Sequence, residues 1–139
     1  MRGVTFDKKH THWEWGLMLS KAPAITSPEP KTYNVDIIGA HGSMNLMKAL
    51  TGRVQYKNRH IRMEFVSMAG RDEWSAIYSS ILAELHGQEK EIKLDDDPMH
   101  VYTGLVTVGD PTWENDTVTL PITAEVEPFK KSIDGSVML

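Results

Sequence analysis

Residues Thr117–Val126 constrain the fold most, because apolar and polar side chains alternate along the whole segment. A period of two is typical of a β-strand that packs one face against a core and turns the other to water. The inward positions are Val118, Leu120, Ile122, Ala124 and Val126. Pro121 lies within this segment, and proline, which donates no ladder hydrogen bond, favours an edge, a bulge or a strand end. The sequence therefore predicts a long, half-buried edge strand.

A single segment has helical periodicity. Between Asp72 and His86 the apolar residues recur at i, i+3, i+4, i+7, i+8 and i+11, which places them on one stripe of a helix. They are Trp74, Ile77, Tyr78, Ile81, Leu82 and Leu85. Asp72 suits the N-cap, His86 lies in the last turn, and Gly87 is placed to end the helix in a left-handed conformation. We expect one amphipathic helix over about residues 72–86.

Short polar turns separate two further pairs of β-rich segments. Glu91–Leu94 and Val101–Val108 flank Asp95-Asp96-Asp97-Pro98, which predicts a hairpin with an acidic tip that protrudes from the fold. Val54–Tyr56 and His60–Met68 flank residues 57–59 and predict a second hairpin, with alternate side chains of the longer strand facing the core.

The segment Lys21–Pro30 contains three prolines and reads as a stiff, extended arm or loop. A strand is expected from about Thr32 to Ile37, ahead of a glycine-flanked turn at residues 39–43. One helix among hairpin-connected strands indicates an α+β fold that is mostly β, an antiparallel sandwich or small barrel with the helix packed against it. A chain of 139 residues is expected to form a single domain, 1–139, with no second domain.

Composition narrows the possible functions. The chain has no cysteine, which excludes disulfides, cysteine-based metal sites and thiol catalysis. Its formal charge of −4 is mixed along the chain and supplies no basic stripe for nucleic acid. The first residues lack the apolar run of a signal peptide, and no segment approaches the roughly 18 apolar residues of a membrane span. A protein made in the cytoplasm, with no membrane partner, is the expectation.

Residues able to bind metals or to catalyse reactions form no complete set. His10 and His12 would share one face of a strand, but two ligands do not make a metal site. Asp95-Asp96-Asp97 lacks the spacing of a calcium loop, and Pro98 favours a solvated turn. No nucleophile elbow or phosphate-binding glycine loop is present. We expect no metal, no cofactor and no enzymatic activity.

Four tryptophans carry more information. Trp74 belongs to the helix stripe and is expected in the core, whereas Trp13 and Trp15 would share one face of a short strand. Trp113 lies in a loop, where aromatic side chains are enriched at interfaces. Burial within the monomer explains Trp113 equally well.

Colinear motifs along nearly the whole chain resemble the pattern of the distal tail proteins of long-tailed bacteriophages. In that family a strand runs into a G-x-x-G turn, followed by a segment ending in TG and by a Y-x-N-R-x-I motif. Here these are Asp36-Ile37-Ile38-Gly39-Ala40-His41-Gly42-Ser43, Leu50-Thr51-Gly52 and Tyr56-Lys57-Asn58-Arg59-His60-Ile61. Further agreements are Val4-Thr5-Phe6, Trp15-Gly16-Leu17, Leu85-His86-Gly87, Tyr102-Thr103-Gly104 and Pro128-Phe129-Lys130.

The resemblance implies an N-terminal tail-hub domain that assembles into a hexameric ring between the tail tube and the tip or baseplate. Its implied partners are copies of itself, the tail tube protein, and tail-tip and tape-measure proteins, with DNA only as passing cargo through a neutral or acidic channel. The implied location is the virion, after synthesis in the bacterial cytoplasm. A tail tube subunit of the same general fold, and a small carbohydrate- or peptide-binding module, remain as alternatives.

Ring formation would need surfaces that reach a neighbouring subunit. An unpaired strand edge or a protruding hairpin can supply such a surface. The candidate interface residues are Asp95, Asp96, Asp97, Pro98 and Met99 in the hairpin tip, Trp113 in its loop, and Pro23 and Ile25 in the proline-rich arm.

Overall fold

A computed structural model describes residues 3–32, 34–36, 43–45 and 54–139 of the chain. The predicted glycine turn at residues 39–42 and the segment Leu50–Gly52 lie outside the described residues. Within them, no helix is long and apolar enough to cross a membrane. In these described ranges the helices are α1 (Thr11–Trp15) and α2 (Arg71–Leu85). The strands are β1 (Val4–Phe6), β2 (Lys9–His10), β3 (Met18–Leu19), β4 (Ala24–Ile25), β5 (Pro30–Lys31), β6 (Asn34–Asp36), β7 (Ser43–Asn45), β8 (Gln55–Tyr56), β9 (Arg59–Ser67), β10 (Gln88–Leu94), β11 (His100–Val108), β12 (Thr112–Glu114), β13 (Thr117–Val126), β14 (Lys130–Ser132) and β15 (Val137–Met138).

One antiparallel sheet organises the fold. The order of its main strands is β2-β1-β10-β11-β13-β9-β3. In addition, β4 pairs with β9 and β12 pairs with β13. Strand β14 pairs with both β11 and β15. The predicted α+β, mostly β class is confirmed. The sheet is not closed into a barrel, since its path ends at β2 on one side and at β3 on the other.

The core lies between one face of this sheet and α2. All five predicted inward residues of β13 are buried, and Ile61, Met63 and Phe65 of β9 are buried beside them. From the helix, Trp74, Ile81 and Leu85 enter the same cluster. Burying a large apolar side chain stabilises a fold by about 1.5–3 kcal/mol, so the two periodic segments supply much of the driving force.

The predicted edge position of β13 is wrong, because this strand lies in the middle of the sheet between β11 and β9. The proline is accommodated by its position along the strand. Pro121 follows the end of the pairing with β12 and precedes the first pair with β11, and its carbonyl accepts a hydrogen bond from the Gly109 N–H at 2.8 Å. The N–H and C=O of one strand residue point to the same side. The donor that proline lacks therefore faces the turn at Gly109 and leaves the β9 ladder intact.

The predicted helix is confirmed as α2, with small changes at its ends. Gly70, not Asp72, is the N-cap residue. Asp72 lies in the first turn, where its carboxylate interacts favourably with the helix dipole. His86 is the C-cap, and Gly87 has a φ of 72°, the left-handed conformation predicted for it.

The acidic-tipped hairpin is confirmed, whereas the other predicted hairpin is wrong. Strands β10 and β11 pair from Gln88 with Val106 to Ile92 with Tyr102. By contrast, β8 pairs with β5, so the partner of Tyr56 is Pro30 at the end of the proline-rich arm. Lys57 and Asn58 therefore connect two sheets and do not form a turn between paired strands.

The predicted N-terminal strand through His10 and His12 is also wrong, because α1 begins at Thr11. Thr11 is fully buried, and its Oγ1 accepts from the Val4 N–H at 3.1 Å, which fixes the start of the helix. Gly16, at a φ of 69°, ends it. Trp13 and Trp15 consequently do not share a face: Trp13 is 81% exposed and Trp15 is buried.

Candidate subunit interface

The hairpin tip is anchored to the N-terminal segment through Asp95. Its Oδ2 atom accepts from the Gly3 N–H at 2.9 Å and lies 2.9 Å from Nε2 of His10. The Asp95 N–H donates to the Gly3 carbonyl at 3.3 Å. One side of the tip is thus engaged within its own chain.

A second anchor holds the other side of the tip. The carboxylate of Asp97 contacts Nδ1 of His100 at 2.8 Å and Nζ of Lys130 at 3.0 Å. The hydrogen bond from His100, followed by that from Lys130, lowers the pKa of Asp97 against the opposing effect of its partial burial. Both carboxylates therefore stabilise the shape of the tip.

Pro98 and Met99 are exposed at the tip, as are Asp95 and Asp96. Met99 is 56% exposed, while its carbonyl accepts from the Ile133 N–H at 3.2 Å. Among the residues that the structure describes, no group of three or more His, Asp or Glu side chains could hold a metal ion. The tip therefore offers a partner the exposed side chains of Met99 and Asp96 on a fixed turn.

The prediction that Trp113 lies in a loop is wrong, because Trp113 is on β12 and pairs with Val118 of β13. Its side chain packs within its own chain. Its ring meets Trp74 edge to face at 6.3 Å, and the guanidinium of Arg71 lies 4.5 Å from its ring centroid. Trp74 in turn stacks on Tyr78, whose hydroxyl donates to the Gly109 carbonyl at 3.2 Å. Trp113 is half-buried by these contacts, and whether a neighbouring subunit covers the rest remains a prediction.

The proline-rich arm lies along the outer edge of β9. Ala24 and Ile25 pair with Arg62 and Ile61, and the Thr26 N–H donates to the His60 carbonyl at 2.9 Å. Pro23 is half-buried and Ile25 partly exposed. An open groove of about 550 Å³ runs beside the arm, with a polar lining of Thr26, Ser27, Glu29, Lys31, Lys57, Asn58, His60 and Glu125.

The three groups of predicted interface residues occupy three separate places. The tip precedes the start of β11, Trp113 follows the other end of β11, and the arm borders β9. They therefore do not form one patch, although a ring subunit needs two different patches to contact its two neighbours.

The structure adds a surface that the sequence reasoning missed, which we call the C-terminal apolar patch. Its exposed apolar side chains lie in the β14–β15 hairpin and the adjoining tip: Met99, Ile133, Val137, Met138 and Leu139. Ile133 is 69% exposed. The signal for this hairpin was present, because Asp134-Gly135 between short β-rich segments is a turn signature, and Gly135 has a φ of 94°.

A second missed surface is a cluster of glutamates on the solvent face of the main sheet, which we call the acidic face. Leu105 lies in register between Glu89 on β10 and Glu125 on β13, and all three are exposed. Together with Glu127 they border a hollow of about 230 Å³. In the described part of the chain no lysine or arginine pairs with these carboxylates. The alternation of β10 and β13 would have predicted this face.

An ion-pair network lies on the face of the sheet opposite to the acidic face. Lys90 on β10 contacts Glu84 of α2 at 3.1 Å and Asp7 at 3.3 Å, and Lys9 contacts Glu84 at 3.2 Å. Hydrogen bonds from Lys90 and Lys9 lower the pKa of Glu84, and the same contact with Glu84 raises the pKa of Lys90. The network ties the end of α2 to the β1–β2 turn.

Comparison with known proteins gives a match in structure alone. No family model matches the chain, and no curated protein is significantly similar to it in sequence. The tail of an empty GTA particle, solved with C6 symmetry, aligns at a TM-score of 0.40 and 11% identity over 86% of this chain and 80% of that one.

The crystal structure of the Dit protein (gp 19.1) of SPP1 aligns over 95% of this chain with a TM-score of 0.63 and 13% sequence identity. That protein is described as a paradigm of the hub adsorption apparatus in phages that infect Gram-positive bacteria. The chain spans about half of its length, 52%. The resemblance to phage distal tail proteins that the colinear motifs predicted is therefore confirmed at the level of the fold.

Proposed function

We propose that this chain is a structural protein of a phage tail, which forms a ring at the distal end and connects the tail tube to the tip or baseplate. The observation that carries the proposal is the fold shared with the SPP1 hub protein over 95% of this chain. The sequence motifs also support it, since they occur in the same order as in phage distal tail proteins. Residues 1–139 would form one tail-hub domain, located in the virion after synthesis in the bacterial cytoplasm.

Self-association would use the C-terminal apolar patch. Clustered exposed apolar side chains on a soluble protein are typical of interaction sites, and five that are 45% to 69% exposed lie in this hairpin and the adjoining tip. A hexameric ring requires that the patch meet a different surface of the next subunit. The arm on β9 and the region of Trp113 lie elsewhere on the molecule and are suited to be that second surface.

The acidic face would line the channel of the ring. A polyanion moves past carboxylates without being held, whereas lysines and arginines bind phosphates. Glu89, Glu125 and Glu127 are the side chains that would face passing DNA. The remaining partners would be the tail tube protein above the ring and tail-tip or tape-measure proteins below it, and the role would be structural, not enzymatic.

Native mass measurement and negative-stain imaging of the purified chain test the proposal. We expect a concentration-dependent hexameric ring, whereas stacked rings that grow into tubes would indicate a tail tube subunit. A monomer at every concentration would contradict both roles and leave a small binding module.

A matched pair of variants tests the interface. Met99→Glu with Ile133→Glu introduces charge into the C-terminal apolar patch, and we expect the ring to dissociate while the circular dichroism spectrum stays unchanged. Met68→Glu is the control, because Met68 is 78% exposed and directly follows β9, outside the C-terminal apolar patch. Rings that persist in the double variant would exclude this patch as the interface.

A further inference from the structure

The imidazole of His10 joins two parts of the molecule that come together only in the folded chain. Its Nδ1 atom accepts the backbone N–H of His12 at 3.1 Å, which makes the side chain the N-cap of α1. Its Nε2 atom lies 2.9 Å from Oδ2 of Asp95 in the hairpin tip. Helix N-caps are ordinarily Ser, Thr, Asp or Asn, whose side-chain oxygens do not take up a proton near neutral pH.

These two contacts determine where the proton of His10 lies. A backbone N–H can only donate, so Nδ1 must present a lone pair to His12. An ionised carboxylate can only accept, so Nε2 must carry the hydrogen that faces Asp95. The geometry therefore requires neutral His10 as the Nε2–H tautomer.

We propose that His10 is a protonation-dependent cap, which releases the first turn of α1 when it takes up a second proton. That proton has to bind Nδ1, where it faces the His12 N–H donor to donor and breaks the capping hydrogen bond. The contact with Asp95 is retained and becomes an ion pair. Protonation thus exchanges a helix cap for a stronger tie to the tip.

The surroundings leave His10 as the group that decides this exchange. Among the residues that the structure describes, Asp95 is the charged group whose contact with the ring is an ion pair on protonation, with Asp96 next along the tip, and Lys9 on the same strand pairs with Glu84 at 3.2 Å. Lys93 lies two strands away in the same register row, opposite Thr5. His12 faces His10 through its backbone N–H.

The consequence falls on Trp13. The C-terminal half of α1 is held by buried Trp15, whose Nε1–H donates to Ser80 at 3.2 Å, and by the turn at Gly16. The first turn holds Trp13, which is 81% exposed and meets the His12 ring edge to face at 4.9 Å. Because α1 has only five residues, loss of its N-cap hydrogen bond unwinds the first turn and changes the position of the exposed Trp13 side chain.

Nuclear magnetic resonance of the 139-residue chain, titrated from about pH 8 to pH 5, tests the proposal. The ring nitrogen shifts should show the Nε2–H tautomer of His10 at high pH. The backbone amide of His12 should shift, and its hydrogen exchange should accelerate about five-fold beyond the intrinsic pH effect, with the midpoint of the His10 titration. An Nδ1–H tautomer at high pH, or a His12 amide insensitive to that titration, would overturn the proposal without any variant.

Two variants separate His10 from the other histidines. His10→Asn supplies a side-chain oxygen that accepts the His12 N–H but does not titrate, so the pH-dependent step should disappear while α1 persists. His100→Asn removes the histidine on the other side of the tip and should leave the step unchanged. Persistence of the step in His10→Asn, or its loss in His100→Asn, would contradict the assignment to His10.

Discussion

Gly104 shows how a single residue permits two central strands to approach each other. A Cβ at this position would overlap the carbonyl oxygen of Glu125 and lie 2.5 Å from Cα of Val126. Both atoms belong to the backbone of β13, which cannot turn aside as a side chain can. The absence of a side chain is thus required by the pairing of β11 with β13.

We expect Gly104→Ala to lower the free energy of unfolding by about 1–3 kcal/mol, because the added methyl group forces the two strands apart. Denaturant unfolding followed by circular dichroism measures the loss. Thr107→Ala on the same strand is the control, since Thr107 is exposed and should change stability by less than about 1 kcal/mol. Equal effects of the two substitutions would contradict the steric argument.

The guanidinium group of Arg59 contacts three segments of the chain: the proline-rich arm, the segment after β13, and β11. Its Nε donates to the Thr26 carbonyl at 3.0 Å, its Nη1 donates to the Pro128 carbonyl at 3.3 Å, and its Cζ lies 5.8 Å from the ring centroid of Tyr102. A lysine cannot reproduce this fork of donors, although it keeps the charge.

We therefore expect Arg59→Lys to destabilise the fold by about 1–2 kcal/mol and to speed proteolytic cleavage within residues 21–30, because the arm loses its tie to β9. Limited proteolysis and thermal unfolding measure the two effects. Arg62→Lys, at an exposed position on the same strand, should change neither. Unchanged cleavage in Arg59→Lys would show that strand pairing alone holds the arm.

At the scale of elements, the hairpin tip makes stability depend on pH. The pKa of Asp97 is lowered by its hydrogen bond with His100 and then by Lys130. A carboxyl whose pKa is lower in the folded state stabilises the fold at pH values above its ordinary range of about 4. This contribution is lost progressively as the pH falls below that range toward the folded-state pKa.

We expect Asp97→Asn to flatten the decline of stability below about pH 4, since the variant has no carboxylate there to protonate. Thermal unfolding midpoints between about pH 6 and pH 2.5 measure the slope. Asp116→Asn, an exposed carboxylate in the β12–β13 turn, should keep the slope of the parent chain. A parent-like decline in Asp97→Asn would mean that other carboxylates dominate acid unfolding.

The elements that the sequence predicted correctly are those whose periodicity is long. Ten alternating residues define β13 and fifteen helical residues define α2, because each must present one apolar face to the core. The neighbours of an element depend on contacts distant in sequence, so the local pattern predicts neither the central position of β13 nor the pairing of β8 with β5. The short helix α1 was missed because its start depends on a buried Thr11 and a histidine cap, which no local pattern announces.

At the scale of the whole molecule, the main sheet ends in short edge strands, and one of its faces carries exposed side chains. The strands at the ends of its path, β2 and β3, have two residues each, as does β4 beside β3. Short edges discourage uncontrolled pairing with other chains. Specific assembly then depends on side-chain surfaces, which the sequence predicted only in part: Met99 belongs to the C-terminal apolar patch, but the hairpin that completes the patch was not predicted.

The orientation of the subunit in the proposed ring is directly measurable, because the chain contains no cysteine and one introduced thiol is unique. Glu125→Cys places the thiol on the acidic face, and Ser79→Cys places it on the exposed side of α2, across the core from that face. Coupled to a maleimide gold cluster and imaged by negative stain, Glu125→Cys should put density near the ring axis and Ser79→Cys near the perimeter. The reverse arrangement would mean that α2 lines the channel, so that DNA would pass the helix and the glutamates would face outward.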